Sequence, residues 1–186
     1  LRRGDDADFI VVDNLNDFNV QKTFIQGILV AENKKSLLPP VEIDLVNNFN
    51  IKEKNVSDFE VKAEKARIRV IEAIEGQLIT NELIEEAKIE DGKIVTNLEK
   101  DILKLTVINR YEESAPAIAF IKNFGLKSGA IATSVAHDSH NIIAIGASDE
   151  TLCKAVNTVI QNKGGLAVVD NGHTISLPMP IAGIMS

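Results

Sequence analysis

Apolar and polar positions alternate most clearly between Asp101 and Arg110. There Ile102, Leu103, Leu105, Val107 and Ile108 are interleaved with Lys104, Thr106 and Asn109, which predicts a strand. The apolar runs Gly129-Ala130-Ile131-Ala132 and Ile142-Ile143-Ala144-Ile145-Gly146 predict two more, both buried. After Ser148 the period changes. Leu152, Ala155, Val156, Val159 and Ile160 recur at helical spacing, Ser148 or Asp149 supplies an N-cap, Glu150 lies in the first turn, and Gly164-Gly165 stops the helix. Leu166 to Val169 and Thr174 to Leu177 flank Asp170-Asn171-Gly172-His173, whose Asn-Gly pair predicts a hairpin with a two-residue turn and His173 in solvent beside it. Ala115 to Phe124 begins near Pro116 and ends at Gly125, and reads as a further helix.

The earlier half is less regular. Asp8 to Asp13 reads as a short strand, and Lys22 to Ala31 as another that Gly27 breaks by a turn or bulge. Pro39-Pro40 punctuates the chain, and the Asn-, Lys- and Asp-rich stretch to Asp58 reads as a linker. Val61 to Ile74 is ambiguous between strand and helix, with β-branched residues favouring strand at its end. Glu90-Asp91-Gly92-Lys93 predicts a tight turn. The expected organisation is therefore two regions, residues 1–58 and residues 59–186, the second an α+β layered domain with helices on one face.

Composition narrows the class. Among 186 residues 45% are hydrophobic, with no Trp and one Tyr, so the core is aliphatic. The net charge of -7 and the scattered Lys and Arg argue against a nucleic-acid partner. The sequence contains no apolar run long enough to span a membrane as a helix. Cys153 has no second cysteine to pair with, fits a reducing compartment, and is expected to be a packed thiol on the helix. The chain opens on Leu1-Arg2-Arg3 without an initiator Met and stops at Ile184-Met185-Ser186 just after an apolar run. A piece of a longer polypeptide is the expectation.

The candidate chemistry sits between the two buried strands, in Ser134-Val135-Ala136-His137-Asp138-Ser139-His140-Asn141. A polar cluster on a rigid scaffold can hold imidazoles and a carboxylate in fixed positions, and it can equally be a turn that caps backbone groups. His137, Asp138 and His140 are the candidate catalytic residues, with Ser139 and Asn141 as substrate-binding or interface candidates. His137, Asp138 and His140 alone lack a fourth metal ligand, so no self-contained metal site is expected in these residues. Asn109 and Arg110, beside Tyr111, form a second polar cluster. Arg110 is expected in a structural ion pair, or else clamping a carboxylate elsewhere or binding a ligand. No glycine-rich phosphate loop, Cys-x-x-Cys or Gly-x-Ser-x-Gly elbow is present.

Several segments together resemble the C-terminal part of microbial adenine deaminases, in the amidohydrolase superfamily. Gly4-Asp5-Asp6-Ala7-Asp8-Phe9-Ile10-Val11-Val12-Asp13 and Thr23 to Ala31 resemble the return from an amidohydrolase barrel into a small β-sandwich. Val70 to Asn81, Val107 to Tyr111, Phe120 to Leu126, Gly129 to Ile142 and Leu177 to Gly183 are similar to the family's C-terminal domain, the histidine motif being the most specific. The resemblance implies the end of a barrel-flanking β-sandwich over 1–58 and the C-terminal α+β domain over 59–186. It implies an intact enzyme that hydrolyses adenine to hypoxanthine and ammonia in purine metabolism, with a manganese or iron centre in a barrel these residues do not include. It implies a cytoplasmic homo-oligomer, with the barrel domain as the partner of these residues. The chain by itself, without the barrel's metal ligands, is expected to bind no cofactor and to be inactive. The other reading is a free-standing, non-catalytic binding or assembly module.

Overall fold

The computed structural model describes residues 2–41 and 44–186. Leu1, at the atypical start, and Glu42 and Ile43, within the stretch read as linker, lie outside the described residues. The chain divides into two compact units, residues 1–44 and residues 45–186.

Unit 1 is an antiparallel meander of β1 (Phe9–Val12), β2 (Val20–Ile25), β3 (Ile28–Glu32) and β4 (Lys35–Ser36). Gln26 and Gly27 take positive φ angles of 51° and 75°, so the break at Gly27 is a hairpin turn. The rings of Phe9 and Phe24 stack at 4.5 Å across the β1–β2 pair. Val30 is its one buried hydrophobic side chain among the described residues.

Unit 2 opens with residues 45–58, and these are not a linker. Phe49 and Ile51 are buried with Phe59 in the main hydrophobic cluster, alongside Leu152, Val156 and Val159. Three apolar side chains, spaced among Asn, Lys and Asp, fix this extended stretch to the core, and the polar residues between them hide that fact in the sequence. A 3-10 turn over Val56–Phe59 follows. Next come β5 (Val61–Lys62), β6 (Arg67–Ala73), β7 (Thr80–Glu86), β8 (Lys88–Glu90) and β9 (Lys93–Val95). Then follow β10 (Ile102–Ile108), β11 (Ala117–Lys122), β12 (Ala130–Thr133) and β13 (Ile142–Gly146). The helix α1 (Asp149–Gln161) precedes the hairpin of β14 (Gly165–Asp170) and β15 (His173–Pro178).

Eight strands form one sheet in the order β15-β14-β12-β13-β10-β11-β6-β7, and β5-β9-β8 form a small second sheet. Helix α1 packs on one face of the large sheet, over β12, β13 and β14, where Ala130, Ala132, Ala144 and Ala167 let it approach closely. Ser148 is its N-cap, the side-chain oxygen accepting from Thr151 N–H at 3.3 Å. Cys153 is buried on this helix, and burial pushes its thiol pKa up.

The fold is mostly β, with α1 as its one α-helix among the described residues. The helix expected over 115–124 is instead strand β11, paired antiparallel with β10 from Val107↔Ala117 to Ile102↔Lys122. Ile118 packs on the α1 side while Ile121 packs with Leu103 and Ile145 on the other. With both faces covered, the run is continuously apolar and loses the alternation that marks a half-buried strand.

A buried ion pair joins sheet and helix. Lys104 on β10 donates from Nζ to both Asp149 carboxylate oxygens, at 2.6 and 2.8 Å, and to the Phe59 carbonyl at 2.9 Å. Asp149 stands in the first turn of α1, where a carboxylate also meets the positive end of the helix.

Candidate functional site: the His137–Asn141 loop and its brace

The loop leaves β12 at Thr133 and enters β13 at Ile142, so both ends are anchored in the centre of the large sheet. Its first residue is the deepest. Ser134 is fully buried, donates its hydroxyl to the Gly183 carbonyl at 2.5 Å and accepts from Gly165 N–H at 2.8 Å. Its own N–H donates to the Gly165 carbonyl at 3.0 Å. Ser134 thus ties the loop to the end of the α1–β14 connection and to the last turn of the chain.

The loop itself is one tight turn. His140 N–H donates to the Ala136 carbonyl at 2.6 Å, and His140 holds a left-handed φ of 52°. A non-glycine residue pays strain in that region, and such strain persists only where surrounding contacts hold it. The tip points outward: the side chains of His137 and Asp138 are each 90% exposed and meet only each other, Nε2 to Oδ1 at 3.4 Å. His140 is half-buried, and its Nδ1 is buried without a hydrogen-bond partner. An unpartnered buried ring nitrogen costs about 1–3 kcal/mol.

Behind the loop lies a brace that begins at the end of β10. Tyr111 donates its hydroxyl to the Ser139 carbonyl at 3.1 Å, and Arg110 donates from Nη2 to the Tyr111 hydroxyl at 3.1 Å. Arg110 N–H reaches Asn141 Oδ1 at 3.4 Å. Asn109 accepts from Tyr111 N–H at 2.9 Å, turning the chain so that the Tyr111 ring faces the loop. Asn109, Arg110, Ser139 and Asn141 are therefore brought together, Ser139 through its backbone oxygen. His137 and Asp138 stand apart from them.

The ion pair expected of Arg110 is absent: among the described residues no carboxylate lies within 4.0 Å of its guanidinium. Only 4% of the residue is exposed, and its charge sits over two rings, 4.7 Å from Tyr111 and 5.6 Å from Phe49. Aromatic faces replace the carboxylate as the counter-field. Asn47 Oδ1, at 3.4 Å from Nη1, is its remaining side-chain contact, and Nε is buried without a partner. A side-chain carbon on Gly183 would displace Nη1, and its φ of +75° is one that glycine adopts without strain.

Sequence reasoning missed Asn47, which stands in the supposed linker, and Gly183, whose constraint is purely spatial. Their local sequence signals are weak. Asn47 Nδ2 also donates to the carbonyls of Lys163 and Pro180, at 2.7 and 3.0 Å, so it stitches three distant segments. Among the described residues no three His, Cys, Asp or Glu side chains are gathered as a metal set.

Comparison with known proteins matches residues 77–186 to the adenine deaminase C-terminal domain. The whole chain is 49% identical to an adenine deaminase of Salinibacter ruber over 187 residues, 34% of that relative's length. It is 46% identical to an adenine deaminase of Borreliella burgdorferi, again over 34% of its length, and 46% identical to one of Methanosarcina mazei over 36%. The chain spans about a third of the length of the curated relatives it matches.

Proposed function

The chain belongs to the adenine deaminase C-terminal domain family, and from that premise we propose that it is the C-terminal part of an enzyme that hydrolyses adenine to hypoxanthine and ammonia. Replacing a ring amine by oxygen requires an activated water and a proton for the departing amine. In this reading the activating centre, with its manganese or iron, belongs to a barrel domain outside these residues. Among the described residues no set of three His, Cys, Asp or Glu side chains is gathered to hold a metal. The chain alone has no deaminase activity, and it works in the cytoplasm in purine salvage. Unit 1, a single sheet with exposed apolar side chains, belongs to the small β-sandwich beside the barrel.

The part played by unit 2 is to hold the His137–Asn141 loop over the barrel mouth. His137 and Asp138 project into the space a substrate would occupy, and the half-buried His140 stands beside them. These groups hydrogen-bond the purine or the attacking water. Arg110 and Tyr111 are positioning residues: they fix the loop before the substrate arrives, so little freedom is lost on binding. The single observation that supports this most is an exposed His-Asp tip on a turn held from behind by a buried guanidinium and tyrosine.

In the intact enzyme, His140→Ala is expected to lower turnover at least about a hundredfold. His140→Asn, which tolerates the left-handed backbone, is expected to lower it similarly with an unchanged melting temperature. Ordinary turnover in both variants would reduce the loop to an interface brace.

A further inference from the structure

A bidentate carboxylate fixes a guanidinium in plane and angle, whereas the face of a ring leaves it room to slide. Arg110 lies on the rings of Phe49 and Tyr111, so its alignment comes from other contacts. Two groups meet it at Nη1. Asn47 Oδ1 stands 3.4 Å away, and Gly183 approaches so closely that an added side-chain carbon would displace the same nitrogen.

Asn47 is itself fixed. Its Nδ2 donates to two carbonyls, of Lys163 at 2.7 Å and of Pro180 at 3.0 Å. Turning the amide over would set its oxygen against both carbonyls and its N–H groups against a cation, so the oxygen is committed to Arg110. That contact is long, and its weight is an amide dipole aimed at a buried charge. Backbone bonds hold the segment on either side. Ala182 N–H donates to the Val46 carbonyl at 2.7 Å, and Asn50 N–H donates to the Arg110 carbonyl at 2.8 Å.

The same clamp serves both ends of the loop. From Arg110 the line runs through the Tyr111 hydroxyl to the Ser139 carbonyl. From Gly183, beside Nη1, it runs to the hydroxyl of Ser134, the first residue of the loop.

We propose that Asn47 is a positioning residue for the reaction: its amide, acting through Arg110 and Tyr111, sets where the His137–Asn141 loop stands before adenine binds. The proposal rests on that loop being part of the adenine site. Ala at position 47 removes the donors and the acceptor together. Asp offers Arg110 a full counter-charge but puts an oxygen against the carbonyls of Lys163 and Pro180, so the alignment is lost.

Steady-state deamination of adenine by the intact enzyme tests it. Asn47→Ala and Asn47→Asp are each expected to lower kcat at least about tenfold, with KM less affected. Asn47→Ala combined with Tyr111→Phe should lose no more than the worse single variant, because both act along one line. This chain has one Tyr and no Trp, so its near-ultraviolet tyrosine dichroism is that of Tyr111. Both Asn47 variants should lose that band with the far-ultraviolet spectrum unchanged. Ser148→Ala, which weakens the fold at the helix cap, should alter neither kcat nor the band. Lost turnover in His140→Ala with ordinary turnover in both Asn47 variants would overturn this proposal alone. Ordinary turnover in all three would overturn it together with the loop's place in the adenine site. A gain in turnover for Asn47→Asp, additive losses in the double variant, or a tyrosine band indifferent to Asn47 would overturn it as well.

Discussion

Units 1 and 2 are both built from hydrogen-bonded strands, yet only unit 2 buries clusters of apolar side chains. Unit 1 has backbone ladders, two of them with a register shift, but leaves Phe9, Ile10, Val11, Ile25 and Ile28 exposed, with Val30 as its one buried hydrophobic residue among those described. Unit 2 buries three apolar clusters and covers one sheet face with α1. Backbone pairing exchanges water for protein partners at little net gain, whereas apolar burial yields roughly 25 cal/mol per Å². A sheet without a second layer is therefore a surface awaiting cover, and a sheet with one is a domain.

That contrast can be broken most sharply at Phe59. Phe59→Ala, fully buried against α1, should cost about 3–5 kcal/mol in denaturant unfolding of unit 2. Phe24→Ala in unit 1 should leave the same transition nearly unchanged, and equal losses would dissolve the distinction. Next comes the buried pair. Lys104→Ala strands the Asp149 carboxylate and should cost about 3 kcal/mol, while Lys104→Ala/Asp149→Ala should recover part of that loss. Removing the helix cap with Ser148→Ala should cost about 1 kcal/mol, read as a shift in the midpoint.

Acid supplies a weaker test. The Lys54 ammonium, followed by the Lys52 backbone N–H, holds the Glu113 carboxyl below its ordinary range. Lys122 does the same for Glu85. A carboxyl depressed in the folded state stays ionised while its unfolded counterpart takes up protons. Its stabilisation is therefore full above the unfolded value of about 4.3 and is lost as pH falls through the lower folded value. Both ion pairs belong to unit 2, so its denaturation midpoint should fall as pH drops from about 5 to 3. Lys54→Met should flatten that slope, and an unchanged slope would assign the acid sensitivity elsewhere.

Legibility in the sequence followed the strength of local signals. Helix α1 and the β14–β15 hairpin were readable because a serine cap, a 3.6-residue period and an Asn-Gly turn are all local. The placement of the His137–Asn141 loop between two central strands was readable from the apolar runs around it. β11 was misread because burial on both faces erases the alternation that identifies a strand. Residues 45–58 were misread because Phe49 and Ile51 are held by contacts more than 50 residues away, which no window reveals. The pairing chosen by Arg110 was equally hidden: a guanidinium can be neutralised by a carboxylate or bedded on rings, and only the fold decides between them.

The lone thiol of Cys153 faces the residue 54 carbonyl, donating to it at 3.2 Å, with Asn157 on its flank. Shut away between α1 and the opening stretch of unit 2, it can react with an alkylating reagent only during the moments when those two segments part. The rate at which it is labelled is thus an internal clock for that one separation, and it needs no engineered probe to be read.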